Sequence, residues 1–147
     1  LIHNRLRQAG WHSHNHIDTR GILQWLNVNA PVSELPLLPH VHNNNHETIR
    51  MAKETSDPDR LNVIRLWPAA FQPPGKNSQL WVGSVTQVER RQLVKMITYP
   101  ATTRRFDIAL QVLANSLNPV TIKTVTRTGM ATNGISSWSG DILLVRP

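Results

Sequence analysis

"LNVIRLWP", residues 61–68, decides the fold, because its apolar side chains fall on both sides of a two-residue period. Leu61, Val63 and Trp67 would share one face, and Ile64 and Leu66 the other, which is the pattern of a central strand covered on both sides. Upstream, "ETIRMAK" (47–53) alternates around Ile49 and Met51, and "SDPDR" (56–60) supplies a turn. Downstream, "FQPPGKNSQ" (71–79) is the strongest loop signal in the chain, and "LWVGSVTQV" (80–88) follows as the next strand. The pair predicts a long-looped antiparallel hairpin.

Outward from this centre the period changes. "LIHNRLRQAG" (1–10) reads as a short amphipathic helix with Ile2 and Leu6 on one face and Gly10 as its stop. Asp18 fits the N-cap of a second helix running to about Asn27, with Ile22, Leu23 and Leu26 turned inward. "APVSELPLLPH" (30–40) carries Pro31, Pro36 and Pro39, so it reads as an extended connector. "LVKMITYP" (93–100) suits strand and helix equally. "TTRRFDIALQVLANSLN" (102–118) is the best helix, stacking Phe106, Leu110, Leu113 and Leu117 on one face with Thr103 as its cap. "VTIKTVTRT" and "DILLVRP" close the chain as two strands around the Gly- and Ser-rich "GMATNGISSWSG" (129–140). The expected class is α+β: a mostly antiparallel sheet of about five strands with helices packed on one face, in one domain over residues 1–147.

The totals bound the function. At 147 residues, 39% hydrophobic and 17% charged, the chain can bury a single core and is not disordered. No apolar run approaches the roughly 18 residues that cross a bilayer. Nor does the chain open on a basic, apolar leader; its start at Leu1 suggests a processed product or a piece of something longer. With no cysteine, disulfides, thiolate metal sites and a cysteine nucleophile are excluded, while the redox compartment stays open. Sixteen basic and nine acidic residues leave a net charge of +7, which favours anionic partners. The cations are scattered, densest in "ERRQLVK" (89–95) and at Arg104 and Arg105.

Six of seven histidines lie in two short clusters, His12, His14, His16 and His40, His42, His46. On a strand the first three would face one way, and a fourth ligand from the second cluster, with Glu47 in reserve, could complete a zinc, copper or nickel site. "HETIR" (46–50) approaches the zincin spacing, but Arg50 stands where the second histidine belongs, so that motif fails. Both clusters are interleaved with Asn and Ser, as polar loops are. "GISSWSG" (134–140) lacks the nucleophile elbow, "GKNS" (75–78) lacks the context of a phosphate loop, and Asp57 and Asp59 sit in a turn too open for acid–base work. Aromatic residues, at 5%, are too few to support nucleic-acid binding as the leading reading.

"VIRLWPA" (63–69) followed by "LWVGSV" (80–85) resembles the LssY C-terminal domain family, as do "AGW" (9–11), "LPLLPHVHN" (35–43) and the closing "SGDILLV" (139–145). The resemblance runs over nearly the whole chain. It implies a bacterial setting beside membrane regions of the phosphatidic acid phosphatase-like or DedA-like kind, with no activity to carry over. Members commonly show "RHHxRLW"; here Arg60, Arg65, Leu66 and Trp67 persist, while Leu61 and Asn62 stand for the histidine pair. That departure speaks against assigning a phosphatase activity. The leading expectation is a non-catalytic accessory or interaction domain of a membrane-associated protein, touching anionic lipid head groups or a protein partner and needing no cofactor. Arg60, Arg65, Arg90, Arg91, Arg104 and Arg105 are its candidate anion contacts. A small hydrolase using zinc or another divalent metal on the histidines is the alternative, and nucleic-acid binding the third.

Overall fold

In the computed structural model the described residues are 2–14, 17, 19–72, 79–118, 121–126 and 141–146. A five-stranded antiparallel sheet runs in the order β1 (His12–Ser13), β4 (Ile49–Glu54), β5 (Arg60–Pro68), β6 (Trp81–Leu93) and β7 (Ile97–Thr102). Between β1 and β4, a hairpin of β2 (Val41–His42) and β3 (Asn45–His46) stands as its own small sheet. The terminal strands β8 (Thr121–Thr126) and β9 (Asp141–Arg146) also pair only with each other. The α+β class holds, but the sheet's fourth and fifth members are β1 and β7, not the two terminal strands.

The two-sided reading of β5 is realised. Leu61 and Val63 enter one core with Ala30, Val32, Leu35, Leu37, Ala52 and Val88. Ile64 and Leu66 enter the other with Leu6, Trp11, Met51, Leu113 and Leu117. Helices α1 (Ile2–Gln8) and α3 (Phe106–Leu117) supply the second core, which is why both lie on one face. The first core is closed by the proline-rich connector, which buries Val32, Leu35 and Leu37 although it holds only a single 3₁₀ turn at Val32–Glu34. Ordering this stretch costs less chain entropy than usual, since φ is already fixed at half-buried Pro31 and buried Pro36.

Local signals explain most boundaries. Gly10 takes φ +84, and the Trp11 and Gly10 N–H groups donate to the Leu6 and Arg7 carbonyls at 2.9 and 3.1 Å. This is a Schellman stop, and its usual apolar contact is Trp11 with Leu6 in the second core. Gly83 lies opposite Leu66, where a Cβ would stand 2.5 Å from Leu66 Cδ2 and 3.1 Å from the Arg65 carbonyl oxygen. In α3 the fully buried stripe is Ala109, Leu113 and Leu117, with Phe106 and Leu110 half-buried beside it. Thr103 does not cap that helix: Arg105 is the N-cap residue, and Thr103 Oγ1 accepts from the Arg105 N–H two residues on.

One reading left open is resolved, and one expectation is corrected. "LVKMITYP" is the tip of the β6–β7 hairpin followed by β7, because β6 continues five residues past Val88 and pairs back across Leu93 and Ile97. Helix α2 spans only Thr19–Gln24, and Ile22, Leu23 and Leu26 point to solvent. It is Trp25, not they, that packs on the first core. Asp18 and the segments 73–78 and 127–140, with "GKNS" and "GISSWSG", lie outside the described residues.

Candidate functional site

Polar chemistry gathers in two places. The first is buried on the connector side of the sheet, where Arg50 of β4 stands directly opposite Arg65 of β5. Two adjacent guanidiniums repel, and Glu47, just before β4, lies between them. Arg50 Nε donates to Glu47 Oε1 at 2.7 Å and its Nη2 donates to the same oxygen. Arg50 Nη1 donates to the Leu37 carbonyl at 3.1 Å, and the His40 N–H donates to Glu47 Oε2 at 2.8 Å. Arg65 Nη1 reaches Thr86 Oγ1 at 3.3 Å, while its Nε stays 3.9 Å from Glu47 and makes no hydrogen bond. Arg65 is only 2% exposed.

The electrostatics follow from burial. Taking Arg65 out of water, with Arg50 as a like charge, pushes its pKa down to about 10 despite the pull of Glu47. Burial alone would raise Glu47, but hydrogen bonds from Arg50 and from its own and the His40 backbone outweigh this and hold the carboxyl below its usual range. His40 is held low by partial burial and then by Arg65 and Arg50, with Glu47 opposing. The connector is thus tied to β4 and β5 through ionised groups. Next to this cluster, Trp67 Nε1 donates to the Asn45 carbonyl at 3.1 Å and its ring lies 5.6 Å from that of His42, which pins the β2–β3 hairpin to β5.

The second place is an open cleft of about 520 Å³ on the helix side, at the far end of β5 and just before α3. Arg60, Arg91, Arg104 and Arg105 line it, with Tyr99, Thr102 and Thr103 as neutral polar groups and Glu89 as the one carboxylate. Strand alternation explains the convergence: Arg60 and Glu89 are cross-strand partners, and Arg91 faces Tyr99 in the next ladder. Arg60 Nε lies 3.3 Å from Asp57 and Arg91 Nε donates to Glu89 at 2.8 Å, both on exposed or half-exposed side chains. Helix α3 begins at Phe106, immediately after Arg104 and Arg105.

Of the six candidate arginines, four therefore meet in the cleft. Arg90 points to the other face and pairs with Asp59 at 2.8 Å, and Arg65 belongs to the buried cluster. The histidines are spread: His12 is exposed on β1, His14 Nε2 lies 3.2 Å from the Ser33 carbonyl, and His42 and His46 are exposed on the small hairpin. His40 stands at the rim of the buried cluster, and His16 lies outside the described residues. Among the described residues no three His, Asp or Glu side chains are placed to hold a metal ion. Arg50 and Thr86 were not candidates from the sequence; the available signal was a charged residue, Arg65, inside a strand apolar on both faces.

A model of the LssY C-terminus family matches residues 1–137 of the chain. No curated protein and no solved structure matches it.

Proposed function

The chain belongs to the LssY C-terminus family, and we propose that it serves as a non-catalytic interaction domain that docks on an anionic partner through the cleft before α3. The observation that carries this reading is the convergence of Arg60, Arg91, Arg104 and Arg105 from three separate stretches of sequence, against the single carboxylate of Glu89. Guanidinium forks, threonine hydroxyls and a tyrosine suit phosphate oxygens, and the open mouth suits a head group presented on a surface. Anionic lipid is accordingly the partner of choice, and the setting is a bacterial membrane surface. No described helix is long and apolar enough to cross a membrane, so contact would be made from the side.

The test is sedimentation with vesicles of phosphatidylcholine mixed with phosphatidylglycerol. Binding should fall steeply as salt is raised, because head-group contacts of this kind are screened within about 10 Å at 0.1 M. Salt-independent binding, or binding unaffected by Arg104→Gln with Arg105→Gln, would sink the reading. Stoichiometric zinc retained by tag-free protein, and lost in a His14→Ala, His42→Ala variant, would favour the metal-dependent alternative instead.

A further inference from the structure

We propose that the tip of the β6–β7 hairpin, Leu93 to Ile97, is a wedge that enters the interfacial layer of a lipid bilayer, with the outer face of α2 as its second contact. The two-stranded ribbon of β6 and β7 ends in a turn in which Leu93, Val94 and Met96 expose 54%, 79% and 68% of their surface. Every residue from Arg91 to Ile97 is exposed, so the tip projects from the sheet with none of the described residues over it.

The residues chosen for this turn are the wrong ones for water. Val94 and Lys95 take φ of +53 and +57, a region that favours Asn, Asp or Gly and is poorly suited to a β-branched side chain. The small hairpin of the same molecule meets the same demand with Asn43 and Asn44, at φ +48 and +62. Apolar side chains at a strained, exposed turn signal a contact made elsewhere.

A second apolar edge adjoins the first. The Gln92 side chain donates to the Val28 carbonyl at 2.9 Å, and the Thr98 N–H donates to the Trp25 carbonyl at 2.6 Å. These bonds fasten the segment after α2 to the base of the hairpin; Leu26 of that segment and Ile22 and Leu23 of α2 just before it are exposed.

Charge identifies the layer. No acidic residue lies between Arg90 and Phe106; Arg90 and Arg91 pair with Asp59 and Glu89, while Lys95 in the tip and Arg104 and Arg105 pair with no carboxylate among the described ion pairs. Cations at the neck of an apolar tip match anionic head groups above an acyl boundary. Addition of a second copy at the β7 edge is opposed by Pro100 and by the Trp25 contact at Thr98.

The inference shares its partner, a lipid surface, and the neighbouring arginines with the proposed function, but rests on the apolar residues of the tip, which the cleft does not use. The two are therefore tested side by side on vesicles of phosphatidylcholine alone and of phosphatidylcholine with phosphatidylglycerol. Leu93→Ser with Met96→Ser, both at exposed positions, should weaken partitioning onto both vesicles by at least about tenfold. Arg104→Gln with Arg105→Gln should weaken it only where phosphatidylglycerol is present. Because the chain has no cysteine, Val94→Cys gives a single site for a polarity-sensitive fluorophore, whose emission should shift to the blue on vesicles. A tip variant that partitions like the parent, together with an unshifted label, overturns the wedge and leaves the cleft standing. Loss of the cleft effect alone does the reverse. Self-association abolished by the tip variant, without vesicle binding, would give the patch to a second copy and also overturn the proposal.

Discussion

Two sets of arginines use the same side chain for opposite ends. Arg50 and Arg65 are buried, fixed by one shared carboxylate, and kept from any partner in solution. Arg104 and Arg105 are exposed at the mouth of a cleft and pair with no carboxylate among the described ion pairs. A guanidinium in the interior is an element of construction, since removing its counter-charge leaves an uncompensated ion in a low dielectric. At the rim it is an element of recognition, where water screens it and its loss barely touches the fold. Among the six candidate arginines, burial sets Arg65 apart and the face of the sheet sets Arg90 apart.

The largest test of this contrast is Glu47→Gln. It should cost about 3–5 kcal/mol in denaturant unfolding, because Glu47 is the carboxylate that pairs with both buried arginines among the described ion pairs. The double variant Arg104→Gln, Arg105→Gln should stay within about 0.5 kcal/mol of the parent in the same measurement. Equal losses would erase the distinction. The same double variant sharpens it from the other side: at about 1 kcal/mol per cation near an anionic surface, vesicle affinity should fall roughly thirtyfold at low salt.

Acid gives a finer test. Both Glu47 and His40 have folded pKa values below their unfolded ones, so each adds stability that is present at higher pH and lost on acidification. For His40 the loss starts as pH falls below about 6.5, and for Glu47 as it falls below about 4.3. Unfolding followed from pH 8 to pH 3 should show a small decline and then a larger one. Glu47→Gln should abolish the second, and a His40→Ala variant the first. A flat profile through both ranges would mean that the buried cluster is not held by ionised groups.

How much of this was legible beforehand depends on the kind of signal. The alternation of residues 61–67 revealed both cores, the 3.6-residue repeat revealed α3, and Gly10 marked the end of α1, since each is written in neighbouring residues. The connector's burial was hidden because an extended, proline-broken segment has no period to read. The outward turn of Ile22, Leu23 and Leu26 was hidden for a related reason: periodicity says that a helix has an apolar side, not what lies against it. The Arg50–Arg65 pairing needs a strand register, and the arginine cleft needs three segments brought together by the fold. Neither property belongs to any one stretch.

The order of strands in the main sheet has a kinetic consequence. From β4 to β7 the strands lie side by side in the order in which they occur in the chain, each hairpin closing on the one before. Such closures are short and can form early, whereas laying β1 onto β4 joins residues about forty positions apart, and α1 onto α3 about a hundred, at a larger loop entropy. Refolding after dilution from denaturant should accordingly slow with Val63→Ala in the meander, while Leu6→Ala in the first helix should chiefly hasten unfolding. The opposite assignment would place the rate-limiting step in the union of the two chain ends.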